Sequence, residues 1–195
     1  MAISLAKQQT ISLDKTAGTG LQQVRMGLGW DPEQPKGLLD RLLGGGKIDL
    51  DASCILLDAS RQPVDLVWFR QLESKDGSVT HSGDNRTGEG SGDDEVIQVN
   101  LERLPFHVSY LVFTVNSFTG QTFEMVANAY CRIMDQQNRE LARFALSEKG
   151  PHTGVIMASL SRSAEGWNFT AIGKLSRGNT VESLLGEAGE AVAAS

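Results

Sequence analysis

Apolar and polar residues alternate with a period of two along most of this chain, the pattern of half-buried strands. Residues 9–14 and 22–28 read as the first two strands, joined by a polar turn from Lys15 to Gly20. Residues 48–57 and 63–70 read as a hairpin about the turn from Asp58 to Gln62. Gly77 to His81 leads into a glycine-rich acidic segment, and Val96 to Leu101 leaves it as another strand. Val108 to Val115 is almost unbroken apolar β-former, which predicts a central strand covered on both faces. Thr122 is placed to cap a short helix over Phe123 to Val126. Strands follow over 128–134, 140–146 and 154–162, then over 167–172 after a turn at Ala164 to Gly166. Only the tail from Asn179 changes period, with Val181, Leu184, Leu185 and Ala188 at helical spacing. The expected fold is therefore mainly β, a two-sheet β-sandwich with short helices and a C-terminal helix. Residues 1–175 are expected to form the sandwich and 176–195 a helical tail. Residues 33–47 read as a flexible insertion carrying a short apolar turn, Leu38 to Leu43.

The acidic segment breaks the alternation. Between Gly83 and Glu95 lie Asp84, Glu89, Asp93, Asp94 and Glu95, offset only by Arg86, with glycines at 83, 88, 90 and 92. Two like charges about 5 Å apart repel by roughly 3 kcal/mol at an effective dielectric near 20. Glycine lets such a loop turn its carbonyls inward, and hard oxygen donors on an irregular loop suit Ca²⁺ better than Mg²⁺. From this loop alone, two readings stand: a solvated acidic turn, or a loop folded round a cation. Asp49 and Asp51 add weight to the second. At i and i+2 they share one face of a strand that runs straight into the apolar Cys54 to Leu57. If that strand end meets the loop, the two arms form one oxygen cage. Asp31, ahead of Pro32, reads as a turn residue before it reads as a ligand.

Composition narrows the function. The 195 residues suit one domain with a substantial core. A formal net charge of −6, with the acids concentrated, argues against a nucleic-acid partner and for a divalent cation or a basic surface. Cys54 and Cys131 sit in apolar runs without metal-ligand spacing, so both are expected as structural thiols in a reducing compartment. There is no leader pattern and no apolar run of bilayer length, which makes a soluble cytoplasmic protein the expectation.

Catalytic patterns fail on inspection. The Gly44–Lys47 run lacks the glycine and the Ser/Thr of a phosphate loop, with Arg41 and Ile48 in those places. His81, His107 and His152 have no zinc spacing, and His81, beside the acidic loop, reads as a turn histidine bound to backbone before it reads as a group that tunes the site. Asp84 to Glu95 has the length of an EF-hand loop but carries Arg86 where a ligand belongs and Glu89 where glycine belongs. Nothing specifies an enzyme. The alternative carried forward is a metal-assisted enzyme acting on a phosphate or oxyanion substrate.

Four stretches in this order resemble the TerD family of tellurium-resistance and stress-response proteins. They are Gly27-Leu28-Gly29-Trp30-Asp31, Asp49-Leu50-Asp51-Ala52, Ser82 to Glu95, and Gly120-Gln121-Thr122-Phe123. Trp68-Phe69-Arg70 and Phe113 to Phe118 are similar to its TerZ branch. The resemblance implies a cytoplasmic, non-enzymatic β-sandwich that holds two Ca²⁺ ions. Its ligands would be drawn from Asp49, Asp51, Asp84, Asn85, Glu89, Asp93, Asp94 and Glu95. It also implies that other Ter-system proteins, at the membrane surface, are the partners.

Overall fold

The computed structural model describes residues 2–18, 20–32, 49–83 and 92–194. The insertion expected at 33–47 and the loop residues Asp84, Asn85 and Glu89 lie outside the described residues. Twelve described strands form the two sheets that the alternation implies. The first sheet contains β1 (Ile3–Ser4), β10 (Glu140–Leu146), β9 (Val126–Asp135), β3 (Gln23–Pro32), β7 (Glu95–Asn100) and β6 (Val79–His81), adjacent in that order. The second contains β2 (Thr10–Ser12), β12 (Gly166–Ser176), β11 (Gly154–Ser163), β8 (Tyr110–Asn116), β4 (Asp51–Leu57) and β5 (Pro63–Val67).

Strand parity decides what each face buries. Leu50, Ala52, Cys54 and Leu56 enter the core between the sheets, against Met26, Leu28 and Trp30 of β3 and Ile97 and Val99 of β7. Ile55 and Leu57, with the opposite parity, pack outward with Val112, Ile156 and Ile172 beneath a C-terminal cover. That cover is a 3₁₀ turn, Val181–Leu184, followed by helix α2 (Leu185–Ala193), which contributes Val181, Leu184, Ala188 and Val192. The β4 and β8 strands are therefore apolar on both faces, as the unbroken runs in their sequences require.

Several boundaries differ from the sequence reading. The polar turn expected at 15–20 begins instead as helix α1 (Leu13–Ala17), because Ser12 Oγ caps the Lys15 N–H and Leu13 is fully buried. The helix expected at 123–126 is a 3₁₀ turn, Phe123–Met125, and Thr122 gives it no side-chain cap. The strand expected over 63–70 stops at Val67, where Trp68 and Gln71 exchange backbone hydrogen bonds in a tight turn. The parallel β1 was not expected, since two residues carry no readable period.

The β9–β10 turn is stapled by Asp135, which is 1% exposed. Its carboxylate accepts from the N–H groups of Gln137 and Arg139, both at 2.9 Å, and from Arg139 Nε at 2.7 Å. Burial by itself would raise the pKa of this carboxyl, but the hydrogen bonds from Arg139 and Gln137 outweigh it and hold the group below its ordinary range. A depressed folded pKa contributes stability above the unfolded value of about 3.9 and loses it as pH falls through the folded value. Asp135→Asn is therefore expected to cost about 1–3 kcal/mol in urea unfolding at neutral pH. The gap from the parent chain should close as pH falls below about 4. A gap independent of pH would contradict this account.

Candidate metal centre

The site is built at one end of the sandwich, where β4 begins, β6 ends and β7 begins. On the second sheet, β5 pairs with β4 only from Cys54 to Leu57, so it does not reach Ala52. The Ala52 backbone is instead satisfied from the other sheet. Its N–H donates to Glu95 Oε2 at 2.7 Å, and His81 Nε2 lies 3.0 Å from its carbonyl oxygen. Glu95 and His81 share the inward parity of Ile97, Val99 and Val79, and their side chains are 1% and 0% exposed. His81 Nδ1 accepts from Gly83 N–H at 3.0 Å, which leaves the proton of the neutral ring on Nε2. That proton is given to Ala52 O, and Glu95 Oε2 lies 3.1 Å from the same nitrogen. The two acidic arms are thus tied together through Ala52, in the middle of the Asp49–Ser53 run.

Leu50 and Ala52 enter the core, so alternation turns Asp51 away from the apolar interior. Asp51 is paired across the ladder with Asn116, and the Asp49 N–H donates to Gln121 Oε1 at 3.2 Å. The loop after β8 therefore supports the first arm.

Asp94 is held against β3 of the first sheet. The β3–β7 ladder ends at Leu28 and Glu95, and beyond it Asp94 takes over. Its N–H donates to Leu28 O at 2.9 Å and its Oδ2 accepts from Trp30 N–H at 2.8 Å. Burial pushes the Asp94 carboxyl above the ordinary range; the Trp30 N–H partly offsets this, and the charges of Asp31, Glu95 and Asp93 add to it. Asp31, set aside as a turn residue, is thus one of the carboxylates around Asp94, and its own Oδ2 accepts from Asn128 Nδ2 at 2.9 Å.

Asp93 is placed elsewhere. It lies on the outer face of the first sheet, where Arg132 Nε donates to its Oδ1 at 2.8 Å and Arg132 Nη2 to its Oδ2 at 3.0 Å. A Cβ on Gly27 would overlap the Asp93 carboxylate, and one on Gly29 would overlap the Tyr130 ring. The two glycines of the Gly27–Asp31 stretch therefore form a trough for these side chains. Gly83 and Gly92, at φ of 106° and 119°, take backbone conformations that only glycine adopts freely, at the two ends of the acidic segment.

Of the expected ligands, the structure brings Asp51, through its neighbour Ala52, to Glu95 and places Asp94 beside Glu95. Asp49 is held by Gln121, and Asp93 is turned to Arg132. Among the described residues, no group of three or more His, Cys, Asp or Glu side chains is arranged to hold a metal ion. The backbone-bound role expected of His81 is what its contacts with Gly83 N–H and Ala52 O show, whereas sequence reasoning missed Tyr130 and Arg132. His81 shares the parity of Val79, and the Gly-x-Gly spacing in β3 shows that something crosses that face. Those were the available signals. The thiols are inert: Cys54 and Cys131 are fully buried, and burial raises both pKa values, that of Cys131 to about 12.

His81→Ala should cost about 1–3 kcal/mol in urea unfolding, because it strips the donor from the buried Ala52 carbonyl. His81→Gln, which can return one donor, should recover part of that loss. Equal effects of the two variants would show that only ring volume matters.

The comparisons with known proteins follow the same residues. The family profile described as "TerD domain" matches residues 1–186. Tellurium resistance protein TerZ of Serratia marcescens is 55% identical over 183 residues, covering 93% of this chain and 94% of that protein. Stress response protein SCP2 of Bacillus subtilis is 39% identical over 196 residues, covering 95% and 98%. A homologue of telluride resistance protein (TerD) from Streptomyces coelicolor has the same fold, with a TM-score of 0.69 at 24% identity, covering 87% of this chain and 98% of that one. No described helix is long and apolar enough to cross a membrane. By profile, sequence and fold, this chain belongs to the TerD-domain family, whose relatives named above are tellurium-resistance and stress-response proteins.

Proposed function

We propose that this protein is a non-enzymatic Ca²⁺-binding component of a tellurium-resistance and general stress-response system. The observation that carries the ion-binding half is the junction at Ala52. There, Glu95 of one acidic arm is hydrogen-bonded inside the Asp49–Ser53 arm at 2.7 Å. Two separate acidic stretches are thereby held at one end of the sandwich against their mutual repulsion. The donor chemistry fits the ion. Asp31, Asp51, Asp94 and Glu95 offer hard oxygen donors at strand ends, the donor class that Ca²⁺ accepts. The upward shift of Asp94, caused by burial and then by neighbouring carboxylates, marks a place where added positive charge is favourable. Asp49, Asp51, Asp94 and Glu95 would hold the ion, together with Asp84, Asn85 and Glu89; two ions are proposed. A bound ion neutralises the acidic end and orders its loop, so binding energy becomes folding energy.

The system-level half rests on the relatives named for tellurium resistance and stress response. Tellurite is an anion, and an acidic site repels it. With both thiols buried, the protein acts in this reading through partners, other proteins of the same system at the cytoplasmic membrane surface, and not by trapping tellurite.

Calcium at about 100 times its Kd should add about 2.7 kcal/mol of stability, raising Tm by roughly 5–10 °C. Equal Mg²⁺ should do far less, a chelator should reverse the shift, and Asp51→Asn combined with Asp94→Asn should remove it. A Tm indifferent to Ca²⁺ would falsify the calcium reading.

A further inference from the structure

The three consecutive acids Asp93, Asp94 and Glu95 are not equivalent, and Asp93 differs most. Its side chain is 6% exposed and is turned to the outer face of the first sheet. Arg132 grips both of its oxygens, with Nε at 2.8 Å from Oδ1 and 3.1 Å from Oδ2, and Nη2 at 3.0 Å from Oδ2. The Tyr130 hydroxyl stands 2.7 Å from Gly92 O and 3.2 Å from Asp93 Oδ1, so its one proton serves both. Behind this pair, Arg132 Nη1 donates to Glu140 Oε2 at 3.0 Å, and Arg143 Nε donates to Glu140 Oε1 at 3.0 Å. The Arg143 guanidinium then lies over the Tyr130 ring at 4.5 Å, which closes the circuit. Asp93, Arg132, Glu140 and Arg143 balance to zero charge.

We infer that Asp93 is a latch and not an ion ligand, and that Arg132, with Tyr130, is the positioning residue that seats it. The latch fixes the exit of the acidic loop to the first sheet before any ion arrives. Three features support this. A bidentate guanidinium pair satisfies the carboxylate in a fixed planar geometry. The seat is shaped for it, since a side chain at Gly27 would occupy the space of the carboxylate. A divalent ion at Asp93 would also have to sit beside the Arg132 cation, which repels it. Residues Gly92 and Asp93 are therefore held outside, so that Asp94, one residue on, is delivered to the β3 edge where Trp30 N–H receives it. The statement that Asp93 is not a ligand rests on the calcium reading above; the statement that it is a latch does not.

The test separates the two. Asp93→Asn, Arg132→Lys and Gly27→Ala are compared with Asp94→Asn in the full chain. Without metal, amide hydrogen exchange is read at Asp94 and Trp30, whose N–H groups report the loop exit. Asp93→Asn and Gly27→Ala should speed that exchange by about tenfold, the loss expected for one charge-assisted contact. Arg132→Lys, which keeps the charge without the fork, should fall between Asp93→Asn and the parent. With metal, Ca²⁺ calorimetry gives stoichiometry, and Eu³⁺ luminescence lifetimes in H₂O and D₂O count coordinated waters. The latch variants should weaken affinity while leaving stoichiometry and water count unchanged, whereas Asp94→Asn should add a water or lose an ion. An added water in Asp93→Asn would make Asp93 a ligand, and unchanged exchange would remove the latch; either result overturns the inference. If the parent binds neither Ca²⁺ nor Eu³⁺, the calcium reading fails and the exchange data alone decide the latch. If Asp93→Asn does not fold, Arg132→Lys and Gly27→Ala carry both readouts.

Discussion

The hydrogen bond from Ala52 N–H to the buried Glu95 carboxylate joins the two sheets at the end of the sandwich where the acids collect. A buried carboxylate needs donors, and β5 stops short of Ala52, which leaves backbone donors and acceptors in need of partners. Each deficit answers the other. His81 completes the arrangement by donating to Ala52 O beside the Glu95 carboxylate, with its tautomer set by Gly83. The Ala52 backbone and the Glu95 carboxylate are thereby fixed by ordinary hydrogen-bond satisfaction.

The same economy governs the neighbouring acids. The β3–β7 ladder ends at Leu28 and Glu95, and the Asp94 carboxylate takes the next backbone donor as a strand would. Asp93 is neutralised on the outer face by Arg132. Charge at this end of the molecule is therefore graded: compensated outside, hydrogen-bonded inside, and crowded between, where Asp94 sits near Asp31 and Glu95.

The architecture serves this end of the molecule by stiffening the strands that lead to it. The β4 strand is buried on both faces, under the opposite sheet and under the C-terminal helix. Its first residues, Asp51 and Ala52, are consequently held on a fixed axis. The turn after β8 adds Gln121 beneath the Asp49 N–H. The helical tail is thus coupled to the site through β4 and through Asn116 of β8, whose Nδ2 donates to Gly178 O at 2.9 Å, although it lies on the far side of the second sheet.

Much of this was legible in the sequence. The period-two alternation determined two sheets, the unbroken apolar runs determined which strands are covered twice, and the tail's change of period determined a helix. The order of the glycine-rich and acidic stretches determined the family. What remained hidden was direction and pairing. Asp93, Asp94 and Glu95 are adjacent in sequence and identical in charge class, yet Gly92 at φ 119° and the end of the ladder send them to three different environments. Arg132 and Tyr130 are ordinary residues of an alternating strand until β9 is placed beside β3, with its glycine trough. His81 reads as a turn histidine until β6 is placed at the sheet edge facing Ala52. Local periodicity specifies which face a residue takes; only the packing of distant strands specifies which partner waits there, because strand pairing joins residues that no local pattern relates.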